Sequence, residues 1–325
     1  MKAIIELVKG KNISYTPVWF MRQAGRYLSS YRRIRKRYTF LEMCETPELA
    51  AEITLQPVRK LNVDAAIIFS DILLPLRAMG LKVYFTEKGP FVFGDEIHSI
   101  DMEKMLFTGK IMRILKKELT DKTLIGFCGA PFTLMSYIIG KGRPDENRTK
   151  YLMYNRKEDF KNRLNTITDS MIEYLKLQME SGADMLQIFD TQAGILSPCD
   201  WKEFALPFVK KLITPFKGKT PTSYYVNGMS GILNIVEETG ADILSIDWRI
   251  DIKNCKNSNK TVQGNLDPSA LLAEKTIIEE KATYIMKMME GKRHIFNSGG
   301  GILPQTDEDK VKFLVDVVHE WKKEL

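Results

Sequence analysis

The fold of this chain is decided by short apolar segments such as TLIGFC at residues 123–128 and MLQIFD at residues 185–190. Each such segment has β-forming residues on both faces, ends near a polar residue, and is followed by a helical pattern. Strands that are apolar on both faces are typical of a parallel sheet that is covered by helices. Eight segments of this kind occur, at residues 17–20, 65–70, 123–128, 185–190, 223–226, 243–247, 261–264 and 295–297.

Helical patterns separate these segments. Apolar residues recur every four positions at Ile167, Met171, Leu175 and Met179, as on one face of a helix, whereas residues 248–261 leave room for only a short helix. Eight strand–helix units predict an α/β fold, specifically a closed (β/α)8 TIM barrel. The fingerprint G-x-G-x-x-G, which would favour an open doubly wound sheet, is absent. No repeat or linker divides the chain, so residues 1–325 are predicted to form a single domain.

Composition excludes several classes of protein. The chain has 325 residues, of which 44% are hydrophobic and 27% are charged, and these proportions are typical of a globular protein. No run of apolar residues is long enough to predict a membrane span, and residues 1–14 lack the apolar core of a signal peptide. The four cysteines form no C-x-x-C pair. Neither a disulfide framework nor a clustered zinc site is therefore expected. The cysteine pattern predicts a reducing, cytoplasmic location.

The positive charge is concentrated in one stretch. The formal net charge is +7, and five cations lie within YRRIRKRY at residues 31–38. A solvated surface is the ordinary interpretation of such a run, and attraction of an anionic small molecule is the sharper one. Nucleic acid is not an expected partner, because the remaining charges are evenly mixed and no nucleic-acid-binding motif accompanies the run.

Polar residues follow the predicted strands, at the end where a TIM barrel builds its active site. A single carboxylate at such a position is more often a helix cap or an ion-pair partner, but several of them facing one mouth favour chemistry. In chain order these residues are Arg22, Gln23, Arg26, Asp71, Tyr137, Asp190, Thr191, Asn227, Asp247, Asn265 and the run NSGGG at 297–301.

Histidine is missing from these strand ends. His98 lies in a polar loop, His294 lies at the start of the eighth strand, directly before residues 295–297, and His319 lies on a helix. Imidazole-bound metal chemistry and a Ser-His-Asp triad are therefore poorly supplied, and no metal is expected. The glycines at 299–301 are compatible with a phosphate cradle or with a tight turn.

Five motifs resemble one known family. They are MRQAGRY at 21–27, FSDIL at 69–73, GAPFTL at 129–134, IDW at 246–248 and QGNLDP at 263–268. In this order, over nearly the whole chain, they resemble the uroporphyrinogen decarboxylases. The resemblance implies a (β/α)8 barrel that needs no cofactor and usually forms a homodimer. It also implies the removal of CO2 from the four acetate side chains of uroporphyrinogen III, giving coproporphyrinogen III on the route to haem.

The resemblance further implies roles for individual residues. Asp71 resembles the family's central aspartate, which accepts hydrogen bonds from the pyrrole N–H groups. Arg22 and Arg26 match the paired arginines that bind substrate carboxylates and supply a proton, and Tyr137 matches the active-site tyrosine. These four are the expected catalytic residues. The expected substrate-binding residues are Arg22, Gln23, Ala24, Gly25, Arg26, Phe69, Asp71, Tyr137, Phe189, Thr191 and Gly300.

Two positions depart from the family pattern. Thr191 stands where the family commonly has serine, and it keeps the hydroxyl group. Gly300 stands where the family has the histidine of a Gly-His-Gly loop, which is thought to contact a substrate side chain. This second departure bears on the grip on the substrate and on the later decarboxylations.

Three alternatives are weighed against this interpretation. Zinc-dependent methyltransferases of the same superfamily need a His-x-Cys pair and a further Cys, and this chain has Tyr225, Asn227 and Gly300 at those places. A barrel that binds a tetrapyrrole without turning it over is supported only by the missing histidine. An enzyme acting on a phosphorylated substrate is supported only by the glycine run.

Overall fold

The computed structural model describes residues 2–94 and 96–321 of the chain. Its centre is a curled sheet of seven parallel strands that follow one another in chain order. A separate antiparallel hairpin is inserted after the first of them. The strands are β1 (Ala65–Ile67), the hairpin strands β2 (Lys82–Thr86) and β3 (Gly89–Phe93), then β4 (Thr123–Gly129), β5 (Met185–Asp190), β6 (Thr222–Val226), β7 (Ile243–Ser245), β8 (Thr261–Leu266) and β9 (His294–Ser298).

Helices pack against the outer face of the sheet and bury a large apolar layer there. A short 3-10 turn, Ile252–Cys255, occupies the stretch in which only a short helix was expected. Within the described residues, no helix combines the length and the apolar character that a membrane span requires. The α-helices are α1 (Ala3–Val8), α2 (Ser29–Arg35), α3 (Phe40–Glu45), α4 (Pro47–Leu61), α5 (Leu74–Ala78), α6 (Leu106–Glu118), α7 (Pro131–Ile139), α8 (Glu146–Asn155), α9 (Lys157–Glu180), α10 (Pro198–Phe204), α11 (Leu206–Ile213), α12 (Lys275–Met288) and α13 (Glu308–Glu320).

Seven of the eight predicted strand segments lie in this sheet, so the α/β class and the parallel sheet are confirmed. Every residue of β4 and of β8 is buried. Burial on both faces requires apolar or internally paired side chains on both faces, and this is the pattern from which the strands were predicted. The predicted segments 65–70 and 243–247 are longer than the observed strands, which end at Ile67 and Ser245.

The first predicted strand, residues 17–20, is wrong as a strand. It forms a single parallel bridge, between Val18 and Phe296 of β9. On that side the Phe296 N–H donates to the Pro17 carbonyl at 2.8 Å, and the Trp19 N–H donates to the Phe296 carbonyl at 3.2 Å. The segment therefore lies beside β9, although it has no regular ladder.

Side chains interrupt the ladder on the other side, towards β1. The Asp64 N–H donates to the Val18 carbonyl at 2.8 Å, but the Val18 N–H donates back to the Asp64 carboxylate at 2.8 Å. The Phe20 N–H donates to Gln23 Oε1 at 3.1 Å, and Gln23 Nε2 donates to the Ala65 carbonyl at 2.9 Å. Because two side chains replace backbone partners here, the segment meets β1 without becoming a strand.

The inner face of the curled sheet encloses a second apolar cluster. Ile4 and Leu7 of α1 pack there against residues at the amino ends of the strands, among them Met185 and Ile243. Helix α1 therefore covers the amino end of the sheet interior, and the carboxyl ends of the strands are left to form a site. Next to this cluster lies a buried polar network, in which Gln263 Nε2 donates to Gln187 Oε1 at 3.1 Å and to Ser245 Oγ at 2.8 Å, while Trp19 Nε1 donates to Gln263 Oε1 at 2.9 Å.

Replacing Gln23 with alanine should destabilise the fold. The change leaves the buried Phe20 N–H and Ala65 carbonyl without these partners, and we expect a loss of about 2–4 kcal/mol in the free energy of unfolding. Urea denaturation followed by circular dichroism measures it. Gln305→Ala, at an exposed position, is the matched control and should change stability by no more than about 0.5 kcal/mol. Equal values for the two variants would contradict the bridging role of Gln23.

Candidate active site at the carboxyl ends of the strands

Asp71, Arg22 and Tyr137 lie within electrostatic reach of one another at the carboxyl end of the sheet. Burial raises the pKa of the Asp71 carboxyl, against the opposing effects of the Leu73 N–H and the positive charge of Arg22. Burial also raises the pKa of Tyr137, which the charge of Asp71 raises further and that of Arg22 lowers. The site therefore places a carboxylate, a cation and a protonated phenol together.

The Asp71 carboxylate has capacity to bind a ligand. Its Oδ1 accepts a hydrogen bond from the Leu73 N–H at 2.8 Å, and this is its only hydrogen bond within the described part of the chain. The residue is half-buried. A partly desolvated carboxylate with a free oxygen strongly favours N–H donors or a positive charge placed beside it.

The position of Arg22 depends on the loop that follows β9. Arg22 has a φ of +59°, in the left-handed region that residues other than glycine rarely adopt. The Met21 N–H donates to Asn297 Oδ1 of β9 at 3.3 Å, and the Ile302 N–H of the following loop donates to the Met21 carbonyl at 3.0 Å. The Arg22 side chain passes over Gly301, where an added Cβ would lie 2.6 Å from Arg22 Cδ. Glycine at 301 is therefore needed for this close approach.

Phe189 and Thr191 lie at the end of β5. The Phe189 ring is half-buried and lies between Phe127 and Tyr225, with ring centroids 5.6 and 6.1 Å away. The Thr191 hydroxyl is buried and has no hydrogen-bond partner within the described residues. A buried hydroxyl without a partner is rare in folded proteins and calls for a ligand or an ordered water molecule.

Asp190, between these two residues, has a different role. Its carboxylate is fully buried and accepts hydrogen bonds from Thr133 Oγ1 at 2.6 Å and from the Tyr224 hydroxyl at 2.7 Å. Burial raises the pKa of Asp190 to about 6, against the lowering effect of these two donors. Both of its oxygens are occupied by the protein, so it braces β5 against α7 and β6 and does not face the mouth.

Gly300 packs against Trp248 in the loop after β7. A Cβ at Gly300 would lie 2.9 Å from the Trp248 ring. The Arg249 guanidinium lies 4.0 Å from the centre of the Trp248 ring, and it donates to Asp247 at 2.8 Å and to Asn227 Oδ1 at 2.9 Å. The indole ring of Trp248 thus occupies space that a longer side chain at residue 300 would need. The same ring is stacked with the Arg249 guanidinium.

Several predicted site residues lie behind the mouth. Gln23 is fully buried, and both ends of its amide are bonded to backbone groups. The Phe69 ring is 7% exposed and packs against the rings of Tyr31 and Phe40. Ala24 is half-buried against the outer apolar layer.

Arg26 and Gly25 remain on the loop beside Arg22. The Arg26 side chain is exposed, and its charge acts on the pKa of Tyr31 and not on that of Asp71. Gly25 is half-buried, and a Cβ there would lie 3.0 Å from the Arg22 carbonyl. Arg22 is therefore the arginine that the fold brings to Asp71.

A metal site and a phosphate-binding loop each require a particular arrangement of residues. Among the described residues, no group of three or more His, Cys, Asp and Glu side chains is placed so that it could hold a metal ion. The glycines at 299–301 all lack the positive φ of a phosphate-binding nest, and close packing against Trp248 and Arg22 accounts for Gly300 and Gly301.

The residues that sequence reasoning missed are Tyr225, Trp248 and Arg249. The Tyr225 hydroxyl donates to the Gly299 carbonyl at 2.8 Å and so ties β6 to the loop after β9. The signal for Tyr225 was its position in a predicted strand, one residue before Val226 ends it. Trp248 and Arg249 directly follow Asp247. An aromatic residue and an arginine after a carboxylate at a strand end could have indicated that these two residues lie near the site.

A curled parallel sheet with an acid, a cation and a phenol at its carboxyl edge defines a TIM-barrel-like α/β enzyme that acts on an anionic substrate. The particular family follows from the whole chain. Residues 1–321 match the family described as "Uroporphyrinogen decarboxylase (URO-D)", and the chain belongs to this family.

Curated relatives agree with this family, and solved structures agree with the fold. The uroporphyrinogen decarboxylase of Thermodesulfovibrio yellowstonii is 45% identical over 99% of this chain and 98% of its own length. That of Trichlorobacter lovleyi is 43% identical over 95% and 96%. A methyltransferase from Methanosarcina mazei superposes with a TM-score of 0.82 at 20% identity, covering 98% of both chains. The putative vitamin-B12-independent methionine synthase of Listeria monocytogenes gives a TM-score of 0.59 at 11% identity, covering 95% of this chain and 96% of that one. At these identities the two structures support the fold alone.

The environment of Asp190 predicts a pH dependence of stability. Its folded pKa, about 6, is above that of an unfolded aspartate, so its contribution to stability is complete below about pH 4 and is lost as the pH rises through about 6. We expect the free energy of unfolding of the wild type to fall, relative to that of Asp190→Asn, by roughly 2–3 kcal/mol between about pH 4 and about pH 8. Urea unfolding at a series of pH values measures it. The exposed Asp121→Asn is the control, and a wild-type profile parallel to that of Asp190→Asn would refute the assignment.

Proposed function

We propose that this protein decarboxylates uroporphyrinogen III to coproporphyrinogen III in haem biosynthesis. The observation that carries the proposal is the half-buried Asp71 carboxylate with a free oxygen, beside Arg22 and Tyr137, in a chain of this family. The catalytic set is Asp71, Arg22, Arg26 and Tyr137. The other groups assigned to the substrate are Phe189, Thr191 and the backbone of the 23–25 loop and of Gly300, while Gln23 and Phe69 act by positioning that loop and the end of β1.

The chemistry needs little from the protein. An acetate on a pyrrole loses CO2 readily once the ring is protonated at the adjacent carbon. The carbon–carbon bond to the carboxyl group then breaks, and its electron pair neutralises the iminium-like ring and leaves an exocyclic methylene group. This carbon takes up a proton and becomes the methyl group, and the ring carbon gives up the proton that it had gained. Because the substrate supplies its own electron acceptor, the protein must add an anion for the ring cation, a proton source, and cations that hold the carboxylates.

Asp71 supplies the anion. Its free oxygen accepts hydrogen bonds from pyrrole N–H groups, and its charge stabilises the ring as positive charge develops. A carboxylate about 4 Å from that cation contributes roughly 4 kcal/mol at an effective dielectric constant of 20. If this interaction acts mainly in the transition state, it accelerates the reaction by about a thousandfold. The burial that raises the pKa of Asp71 also strengthens this interaction, since little water competes for the carboxylate.

Arg22 and its neighbours hold the substrate carboxylates. A guanidinium presents a planar pair of donors to a carboxylate, which suits Arg22 and the exposed Arg26 for this task. The Tyr137 hydroxyl stays protonated, and with the free hydroxyl of Thr191 it can donate to a carboxylate or a bound water. Phe189 provides an apolar surface for the macrocycle.

Arg249 takes part in the proposal because of Gly300. The family's histidine is absent at 300, and the Trp248 ring fills the neighbouring space. The Arg249 guanidinium is stacked on that ring and is half-exposed. It is proposed to bind the substrate side chain that the histidine would contact.

The finer architecture belongs to the same proposal. Residues 17–20 take the place of the eighth strand and close the barrel between β9 and β1. Their hydrogen bonds to Phe296 and Asp64 support this, as does the Gln23 side chain, which links Phe20 to Ala65. Residues 1–325 then form one (β/α)8 domain. A homodimer and a cytoplasmic location are proposed on the resemblance, together with the four free cysteines of the described chain.

The decisive experiment is an anaerobic incubation with uroporphyrinogen III, followed by oxidation and chromatography of the porphyrins by carboxylate number. We expect the four-carboxylate product from the wild type and a fall of about a thousandfold in kcat/KM for Asp71→Asn, because the variant keeps the shape and loses the charge. Asp169→Asn, on the exposed face of α9, should keep full activity. Folded wild-type protein that leaves the eight-carboxylate substrate unchanged would refute the enzymatic function and favour a binding role.

The approach of Arg22 to Gly301 predicts a second result. In Gly301→Ala the new methyl group displaces the Arg22 side chain, and we expect KM to rise about tenfold while the melting temperature changes little. The control is Gly231→Ala, where an added Cβ meets no atom within 4 Å. An unchanged KM in Gly301→Ala would mean that the position of Arg22 is not needed for binding.

A further inference from the structure

A basic groove lies on the outer surface of the molecule, between α2 and α4 and away from the candidate active site. Its volume is about 410 Å³, within the range of sites that bind small molecules. Part of the cationic run at residues 31–38 forms one wall, and the carboxyl half of α4 forms the other. None of the residues proposed above for decarboxylation lines it.

The groove has an excess of positive charge. Arg33, Arg37, Arg59 and Lys60 line it, together with a single carboxylate, Glu52. Glu52 is paired with Arg59 at 2.8 Å. Arg33 and Arg37 are exposed and form no ion pair with any described residue. Two unneutralised guanidinium groups on one wall favour an anion between them and the opposite helix.

The groove also contains buried polar atoms without partners. Gln56 is 7% exposed and Ser30 is 8% exposed, and both line the groove. Gln56 Oε1 and Ser30 Oγ are buried and have no hydrogen-bond partner within the described residues. Buried oxygens of this kind are costly unless something donates to them. Gln56 Oε1 can only accept, so the group that satisfies it must carry an O–H or N–H.

We propose that this groove binds a small organic phosphate. Lys60 is paired with Glu308 at 3.5 Å, so Arg33 and Arg37 are the groove cations that the described residues leave unpaired. Two guanidinium groups match the two charges of a phosphate dianion better than the single charge of a carboxylate, and guanidinium forks fit phosphate oxygens. A hydroxyl or amino group of the organic part donates to Gln56 Oε1, and Ser30 Oγ donates to the phosphate. The exposed Tyr38 ring and Ile34 provide the apolar wall for the carbon skeleton. The site is independent of the decarboxylase activity.

Isothermal titration calorimetry at low ionic strength tests this with three probes: ribose 5-phosphate, ribose and sulfate. Sulfate is a dianion of similar shape to phosphate but has no hydrogen to donate. We expect ribose 5-phosphate to bind at one site, sulfate to bind more weakly, and ribose not to bind. Arg37→Gln should weaken both anions at least about fivefold, and Gln56→Met should weaken ribose 5-phosphate by a similar factor while leaving sulfate within about twofold.

Two controls separate this groove from other sources of binding. Lys36→Gln removes one charge from the same run without touching the groove lining and should change either affinity less than about twofold. Equal weakening by Lys36→Gln and Arg37→Gln would show diffuse surface charge and overturn the proposal. Arg22→Gln should leave ribose 5-phosphate binding intact, and loss of binding there would place the phosphate in the active site instead. Absence of saturable binding to the wild type at millimolar ribose 5-phosphate would also overturn it.

Discussion

The Asp64 carboxylate holds residues 17–20 beside β1, and the position of the candidate site depends on this contact. It is 3% exposed, yet four groups donate to it: the Val18 N–H at 2.8 Å, the Tyr15 hydroxyl at 3.0 Å, His319 Nε2 at 2.8 Å and Lys122 Nζ at 3.4 Å. Burial alone would raise its pKa, but the bonds to His319 and Val18 and the nearby positive charges hold the pKa below its ordinary value. A buried charge satisfied by donors from three separate parts of the chain, namely residues 15–18, Lys122 and α13, fixes their relative positions, because losing any one donor leaves the others with a poorly solvated anion.

The contact between Asp64 and residues 17–20 also helps to position the candidate site. Val18, which is bonded to Asp64, and Gln23, which is bonded to Ala65, flank the turn that carries Arg22. The same turn is bonded to β9 through Asn297 and to the loop after β9 through Ile302. The left-handed conformation of Arg22 is unfavourable by itself and is maintained because both sides of the turn are held. Arg22 and the carboxylate of Asp71 therefore meet beside the segment 17–20, which is hydrogen-bonded both to β9 and to Asp64.

Two aspartates at this end of the sheet show how environment separates structure from chemistry. Asp190 has both oxygens bonded to protein hydroxyls and a pKa raised to about 6, so it holds elements together. Asp71 is also desolvated, but it has one backbone donor and a free oxygen. Environments that leave one buried acid saturated and another open are typical of sites in which only the open acid meets the substrate.

Seven strand segments and the family were determined by the sequence itself, since apolar residues on both faces of a short segment and the run MRQAGRY are local patterns. The family motifs could not reveal that Gln23 and Phe69 face the interior while Arg22 faces the mouth, because the direction of a side chain in a loop depends on contacts with distant elements. The failure of residues 17–20 to form a strand has the same origin, since Asp64 and Gln23 take over bonds that backbone groups would make. Trp248 beside Gly300, and the groove between α2 and α4, likewise join residues far apart in the chain. What the sequence determined was therefore which segments are buried and which residue types are available, whereas only the tertiary structure decided which polar groups are satisfied internally and which remain free to bind.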